Sequence, residues 1–152
     1  MEHLIEQYKQ GYSKILKELE GLTEEQLLFK PSEKSWSIRE IIIHASDAEL
    51  VHIHRMKAIL SEDNPVLTAF DQDLWTKRLN SQQIDHQLYL QLFKSMRESF
   101  LPILQNLTKQ DYLRIGTHNQ AGPLTFKEIF EHSIEHVDTH IGQIKRVKSF
   151  FK

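Results

Sequence analysis

His136 and His140 stand four residues apart in the run Glu131-His132-Ser133-Ile134-Glu135-His136-Val137-Asp138-Thr139-His140-Ile141-Gly142-Gln143-Ile144. On an α-helix that spacing stacks two imidazoles on one face, with Cβ atoms about 5–6 Å apart, close enough to share a divalent cation. Two imidazoles are half a site, because zinc in a catalytic centre normally takes three protein ligands and leaves a fourth position open. The third ligand must come from another segment. His44 is the best candidate: it lies at the edge of an apolar stripe, flanked by Ile41, Ala48 and Val51, and the small Ala45 and Ala48 leave room beside its ring.

Three neutral imidazoles leave a dication its full charge and an open coordination position. Such an ion can bring the pKa of bound water to about 7 or polarise a carbonyl. A thiol bound there would ionise as well, which is how a chain without cysteine could run thiol chemistry. Zinc is the first expectation, and nickel or iron also accept imidazole. The competing expectation is plain: a lone inward histidine is more often a core residue bonded to a carbonyl or carboxylate, and a His-x-x-x-His pair arises readily by chance in a helical chain with nine histidines.

Asp47, one turn after His44, and Gln143, three residues after His140, are the candidates for orienting an imidazole, although each is also an ordinary residue for a helix surface. Glu131 and Asp138 are expected to point outward. His132 reads as a partly exposed helix residue, His52 and His54 as too far along their helix to share an ion with His44, and His3 and His86 as surface residues. His118 lies in a loop from which it could reach a pocket mouth. Trp36, Trp75, Arg39 and Arg78 could line an opening, although a Trp beside a helix start usually packs in the core.

The elements that must position these residues read as helices. Leu4, Ile5, Tyr8, Tyr12, Ile15, Leu16 and Leu19 recur at helical spacing over residues 2–20, and Gly21 stands where that first helix would stop. Residues 22–28 allow a short helical turn before Pro31. Ser37 and Glu40 form a capping box that opens helix two, whose apolar stripe runs through Ile38, Ile41, Ile42, Ala45, Ala48, Met56, Ile59 and Leu60. Residues 61–80 are the least regular stretch, with a short helix expected over Asp71–Leu79 and placed over an opening of the bundle. Helix three is expected to present Ile84, Leu88, Leu92, Met96, Phe100 and Leu104 on one face, with Pro102 bending or shortening its last turn. A loop over residues 116–123 leads to a second capping box, Thr125 with Glu128, and to helix four, where Phe126, Ile129, Ser133, Val137, Ile144 and Val147 share an arc with His140 inside it and His136 at its margin.

Composition narrows the function classes. At 152 residues the chain is one domain's worth, and 19 basic against 21 acidic residues, with no long run of one sign, leave no electrostatic footprint for nucleic acid. The absence of cysteine excludes disulfides, thiolate metal sites and a cysteine nucleophile, and fits a reducing compartment. No leader-like N-terminus or long apolar window is evident, so a cytoplasmic location without a membrane partner is expected. Five glycines, four prolines and the lack of strand alternation point to an all-α chain.

Trp36-Ser37-Ile38-Arg39-Glu40 followed by His44-Ala45-Ser46-Asp47-Ala48-Glu49, then Gly116-Thr117-His118 and Gly122-Pro123-Leu124-Thr125, then His136-x-x-x-His140-Ile141-Gly142-Gln143-Ile144, resemble the DinB-like superfamily with its YfiT-type metal-dependent hydrolases. The resemblance runs in order over nearly the whole chain, residues 1–152 as one domain. It implies a four-helix bundle of DinB/YfiT-like type with a long connection between helices two and three. It also implies a three-histidine site for a divalent metal at His44, His136 and His140, the trio already singled out by helix geometry. Family members include hydrolases, isomerases and transferases that use low-molecular-weight thiols, and homodimers are expected among them. The function expected is a metal-dependent hydrolase or thiol S-transferase acting on a small molecule. The alternative is a non-catalytic helical bundle that dimerises or binds a ligand.

Overall fold

The computed structural model describes residues 1–151, and its helices start and stop where the local chemistry requires. Helix α1 spans Glu2–Leu19 and ends ahead of Gly21, whose φ of 73° places it in the left-handed region that terminates helices. A one-turn helix, α2, covers Glu24–Leu28 behind a Thr23–Gln26 capping box. Helix α3, Ile38–Ser61, begins where the Ser37 hydroxyl accepts the Glu40 N–H and the Glu40 carboxylate accepts the Ser37 N–H, each at 3.2 Å. These exchanges satisfy donors that no helical carbonyl can reach. The short helix α4, Gln72–Arg78, is capped by Asp71, and α5 runs His86–Gln105 behind an Asp85 cap. Helix α6, Phe126–Lys148, opens with the Thr125–Glu128 box.

The four long helices α1, α3, α5 and α6 form the bundle, α3 packing against α5 and α6 and α1 against the same two from the other side. One apolar cluster gathers Tyr8, Met56, Ile59, Phe100, Leu104, Phe126 and Phe130; the other gathers Ile15, Ile38, Ile41, Phe93, Val137 and Ile144. A buried ion pair stands where they meet. Arg97 Nη2 donates to Glu49 Oε2 at 2.9 Å, and its guanidinium carbon lies 4.1 Å from the Tyr8 ring centre and 4.7 Å from that of Phe93. Tyr8 Oη donates to the other Glu49 oxygen at 2.6 Å, while Arg97 also donates to the Tyr8 and Ser133 carbonyls. Four helices are thereby joined through one carboxylate and one guanidinium.

The expected helical bundle is present, and two details differ from expectation. The segments flanking the crossover carry a small sheet that the all-α pattern left out: β1, Val66–Leu67, pairs in parallel with β2, Ile115–His118, which pairs antiparallel with β3, Gly122–Thr125. Strands of two to four residues are too short to show an alternating pattern, and β1 finds its partner about fifty residues away. Gly116 is required there, because a Cβ would lie 2.9 Å from Ile59 and 3.0 Å from Leu67.

The face of α5 is also displaced from expectation. Its buried side is Leu90, Phe93, Arg97, Phe100 and Leu104, whereas Leu88 and Leu92 are 61% and 43% exposed. Pro102 lies in the last turn, and α5 ends three residues later. Among the described residues no helix is long and apolar enough to cross a membrane.

Candidate metal centre

The order of ring contacts between α3 and α6 shows that the two helices run antiparallel. His44 lies beside His140 and His136, with ring centres at 4.6 and 5.0 Å, while His52, two turns on, lies beside His136 and His132 at 5.4 and 5.2 Å. The Nε2 atoms of His44, His136 and His140 point at one another. His136 Nε2 is 2.9 Å from His140 Nε2 and 3.2 Å from His44 Nε2, and one nitrogen from each ring falls within a 4.8 Å circle. Three nitrogens at about 2.0–2.1 Å from a tetrahedral cation would be separated by about 3.3 Å, close to the two separations that His136 makes, so the trio is a candidate set for a single metal ion.

His140 is held in the orientation a ligand needs. Its Nδ1 lies 2.8 Å from Gln143 Oε1, an oxygen that can only accept, so the ring proton sits on Nδ1 and the Nε2 lone pair is free. Gln143→Ala is expected to weaken divalent-metal affinity about tenfold. Gln143→Glu, which keeps an acceptor, should stay within a few fold in the same calorimetric titration. Asp47 does not play this part: it is half-buried on the side toward Tyr89, makes no hydrogen bond to an imidazole among the described residues, and is pushed up to about 6 by burial.

Burial keeps the imidazoles neutral. It lowers the His44 pKa to about 3 and the His136 pKa to about 2, with the neighbouring rings adding to the effect, and it lowers His140 as well. His52, only 3% exposed, is pushed down to about 3 by burial, then by His132 and nearby arginines. Below about pH 6.5 the unfolded chain takes up protons that these rings refuse in the folded protein, so stability falls as pH falls through the window down to about 3. The metal-free protein is expected to lose about 1 kcal/mol per pH unit for each such histidine between pH 6 and 4. Urea unfolding at pH 7 and pH 5 checks this, and equal midpoints would contradict it.

Trp36 packs its ring 4.8 Å from that of His44, and Phe70 stacks over the same imidazole at 6.3 Å, itself backed by Trp75 at 4.8 Å. The connection between α3 and α5 therefore roofs the site. A cavity of about 560 Å³ reaches His140 and Gln143 past Trp36, with Lys34, Asp73 and Arg146 on its walls. Neither Lys34 nor Arg146 has a carboxylate partner among the described residues, and sequence reasoning passed over both. Arg39 instead pairs with Glu24, and Arg78 is exposed away from the cavity.

His86, expected on the surface, is buried at 7% exposure beside Arg39. His132 is exposed, and Asp138 points outward to Lys14 at 2.9 Å. Glu131, expected to point outward, pairs with Lys127 and edges a second cavity described below.

A family model described as the DinB superfamily matches residues 7–144. A protein of Halalkalibacterium halodurans named "Putative metal-dependent hydrolase" is 29% identical over 114 residues, covering 75% of this chain and 66% of that protein, just under two thirds of its length. The Bacillus subtilis protein YfiT, of the same name, is 24% identical over 139 residues, covering 88% and 78%. A solved structure of YfiT, described as a probable metal-dependent hydrolase with an unusual four-helix bundle topology, superposes with a TM-score of 0.90 at 21% identity, covering 97% of this chain and 85% of that one. That likeness is one of fold.

Proposed function

The chain belongs to the DinB superfamily, and from that premise we propose that His44, His136 and His140 hold one divalent cation and that the protein is a metal-dependent enzyme of the hydrolase or thiol S-transferase type, acting on a small molecule. The observation that carries this is the convergence of three Nε2 atoms from helices 92 residues apart in sequence, at separations of 2.9 and 3.2 Å. Rings kept only as core residues would turn their nitrogens to carbonyls or carboxylates, whereas here His140 uses only Nδ1 that way and the Nε2 atoms are turned toward one another.

A cation in this set, zinc by preference and nickel or iron by donor type, would supply Lewis acidity toward water, a thiol or a carbonyl. The chain's own residues do the remainder. Gln143 fixes the His140 tautomer, and Trp36 and Phe70 pack over His44 and keep bulk water from that side. Lys34 and Arg146 give the cavity two free cations, which favours substrates or thiols that carry negative charge. Asp73 supplies a carboxylate on the same wall, and its proposed part is to exchange a proton with a molecule bound there.

The test is elemental analysis of protein purified without added chelator, followed by a turnover screen of ester and amide hydrolysis and of low-molecular-weight thiols with electrophiles. About one equivalent of metal is expected. Less than a tenth of an equivalent after supplementation would remove the enzymatic case and favour the non-catalytic bundle.

A homodimer in the cytoplasm is part of the same proposal, supported by the solvent-facing apolar row of Leu88, Leu92 and Ile103 on α5. Sedimentation showing only monomer at micromolar concentration would exclude it.

A further inference from the structure

On the far side of the histidines from the first cavity lies a second one of about 470 Å³, which shares no lining residue with the first. Its walls are Arg55 and His52 from α3, His118, Ala121 and Leu124 from the sheet hairpin, and Ile129 and His132 from α6 with three glutamates along the edge. Arg55 is half-buried, and burial works against its charge, yet no carboxylate lies within salt-bridge distance among the described residues. Its Nη2 donates to the Thr68 carbonyl at 2.6 Å, and its Nε is buried with no partner.

Burial lowers the His118 pKa, and the Arg55 charge close by lowers it further. Its Nδ1 accepts the N–H groups of Gln120 and Ala121 at 3.1 and 3.0 Å, which leaves the ring proton on Nε2 as a second donor. Among the described residues neither Arg55 Nε nor the His118 Nε2 proton meets an acceptor, and the buried Nδ1 of His52 in the same wall is also unpartnered. A buried polar group without a partner is uncommon and marks a place where one belongs.

The geometry points to a binding site for a small monocarboxylic acid with an apolar body, its carboxylate received by Arg55 and His118 and its body lying on Ala121, Leu124 and Ile129. A planar guanidinium fork pairs with a carboxylate or a phosphate, and the three glutamates along the edge together with the apolar wall work against a second negative charge, which favours a monocarboxylate. The glutamates do not compete for Arg55. Glu128 is engaged by the Thr125 N–H and hydroxyl, Glu131 by Lys127, and Glu135 is exposed at the rim. His52 and His132 stand edge-on between this cavity and His136, so a molecule here would sit directly behind the candidate metal centre.

The experiment is a titration of the whole chain with benzoate, hexanoate, acetate and inorganic phosphate at constant ionic strength. It is read in ¹H–¹⁵N spectra at Arg55 Nε–H and at the Gln120 and Ala121 amides, with and without prior chelation. Benzoate and hexanoate should give saturable shifts at these three signals, at least about tenfold tighter than acetate, equally in both preparations. Arg55→Gln should weaken binding about tenfold or more while the fold is retained by circular dichroism. Should that variant unfold, Leu124→Glu, which sets a negative charge on the apolar wall, should abolish the shifts instead. Saturation by phosphate and not benzoate, loss of the response on chelation, undiminished binding in these variants, or no saturable shift up to tens of millimolar would each overturn the site.

Discussion

Alanine in place of His136 is expected to strip the protein of bound divalent metal, weakening affinity more than about 100-fold and dropping occupancy on purification below a tenth of an equivalent. His136 is chosen because its Nε2 is the nitrogen adjacent to both of the others, 2.9 Å from His140 and 3.2 Å from His44. Its removal leaves two imidazoles with no bridging ligand, and two seldom hold a dication alone. His44→Ala and His140→Ala should behave alike. His132→Ala should leave affinity within a few fold, because that ring is exposed and its Nε2 is not part of the cluster. Titration calorimetry with zinc and nickel, on variants shown to be folded, is the measurement; retention of wild-type affinity in His136→Ala would sink the site.

The largest loss of stability is expected from Arg97→Ala, about 3–5 kcal/mol in urea unfolding. Arg97 and Glu49 are 3% and 1% exposed, so deleting the guanidinium strands a carboxylate that keeps only the Tyr8 hydroxyl, and it removes the second donor that the Tyr8 and Ser133 carbonyls hold beside their own helix bonds. Burial and the adjacent carboxylate raise the Tyr8 pKa, so the phenol stays a donor and cannot substitute for the lost positive charge. The double replacement Arg97→Met with Glu49→Leu should recover most of the loss, since it removes both buried charges together. A cost under about 1 kcal/mol for the single variant would show that water reaches the pair. Gly11 belongs to the same cluster: a Cβ there would come within 2.3 Å of Arg97 Nη1, so Gly11→Ala should disturb the pair from the α1 side.

That ion pair also explains why the hydropathy pattern of α5 points away from its buried face. Leu88, Leu92 and Met96 recur at helical spacing as regularly as the true core face does, and the true face carries an arginine, which any hydropathy pattern assigns to solvent. The capping boxes at Ser37 and Thr125 were legible because a cap is made by residues three apart and needs no tertiary partner. The histidine trio was legible for a related reason. His136, His140 and Gln143 share one helix face by spacing alone, and His44 is set off by its apolar flank.

His52 lies two turns past His44 on α3 and outside the trio, in line with its spacing, but that spacing says nothing of its neighbours on α6. Antiparallel packing brings it to His136 and His132. Lys34, Asp73 and Arg146 leave no trace in any local pattern, since the cavity they line is assembled from three separate segments. The sheet escaped for want of length, and because β1 and β2 lie about fifty residues apart in the chain.

The two residues of β1 nonetheless determine how the histidines can be uncovered. The Thr117 N–H donates to the Pro65 carbonyl at 2.9 Å and the Asn119 N–H to the Leu67 carbonyl at 3.0 Å, which rivets the start of the crossover to the hairpin that launches α6. The segment carrying Phe70 and α4 cannot swing away as a free flap from the end of α3. The Thr68 carbonyl and the Ala69 N–H are held as well, by Arg55 and Asn119, so the chain is fixed up to the residue before Phe70, and admission of a bulky molecule would proceed by withdrawal of the Phe70 ring from above His44 while the strand behind it stays in place.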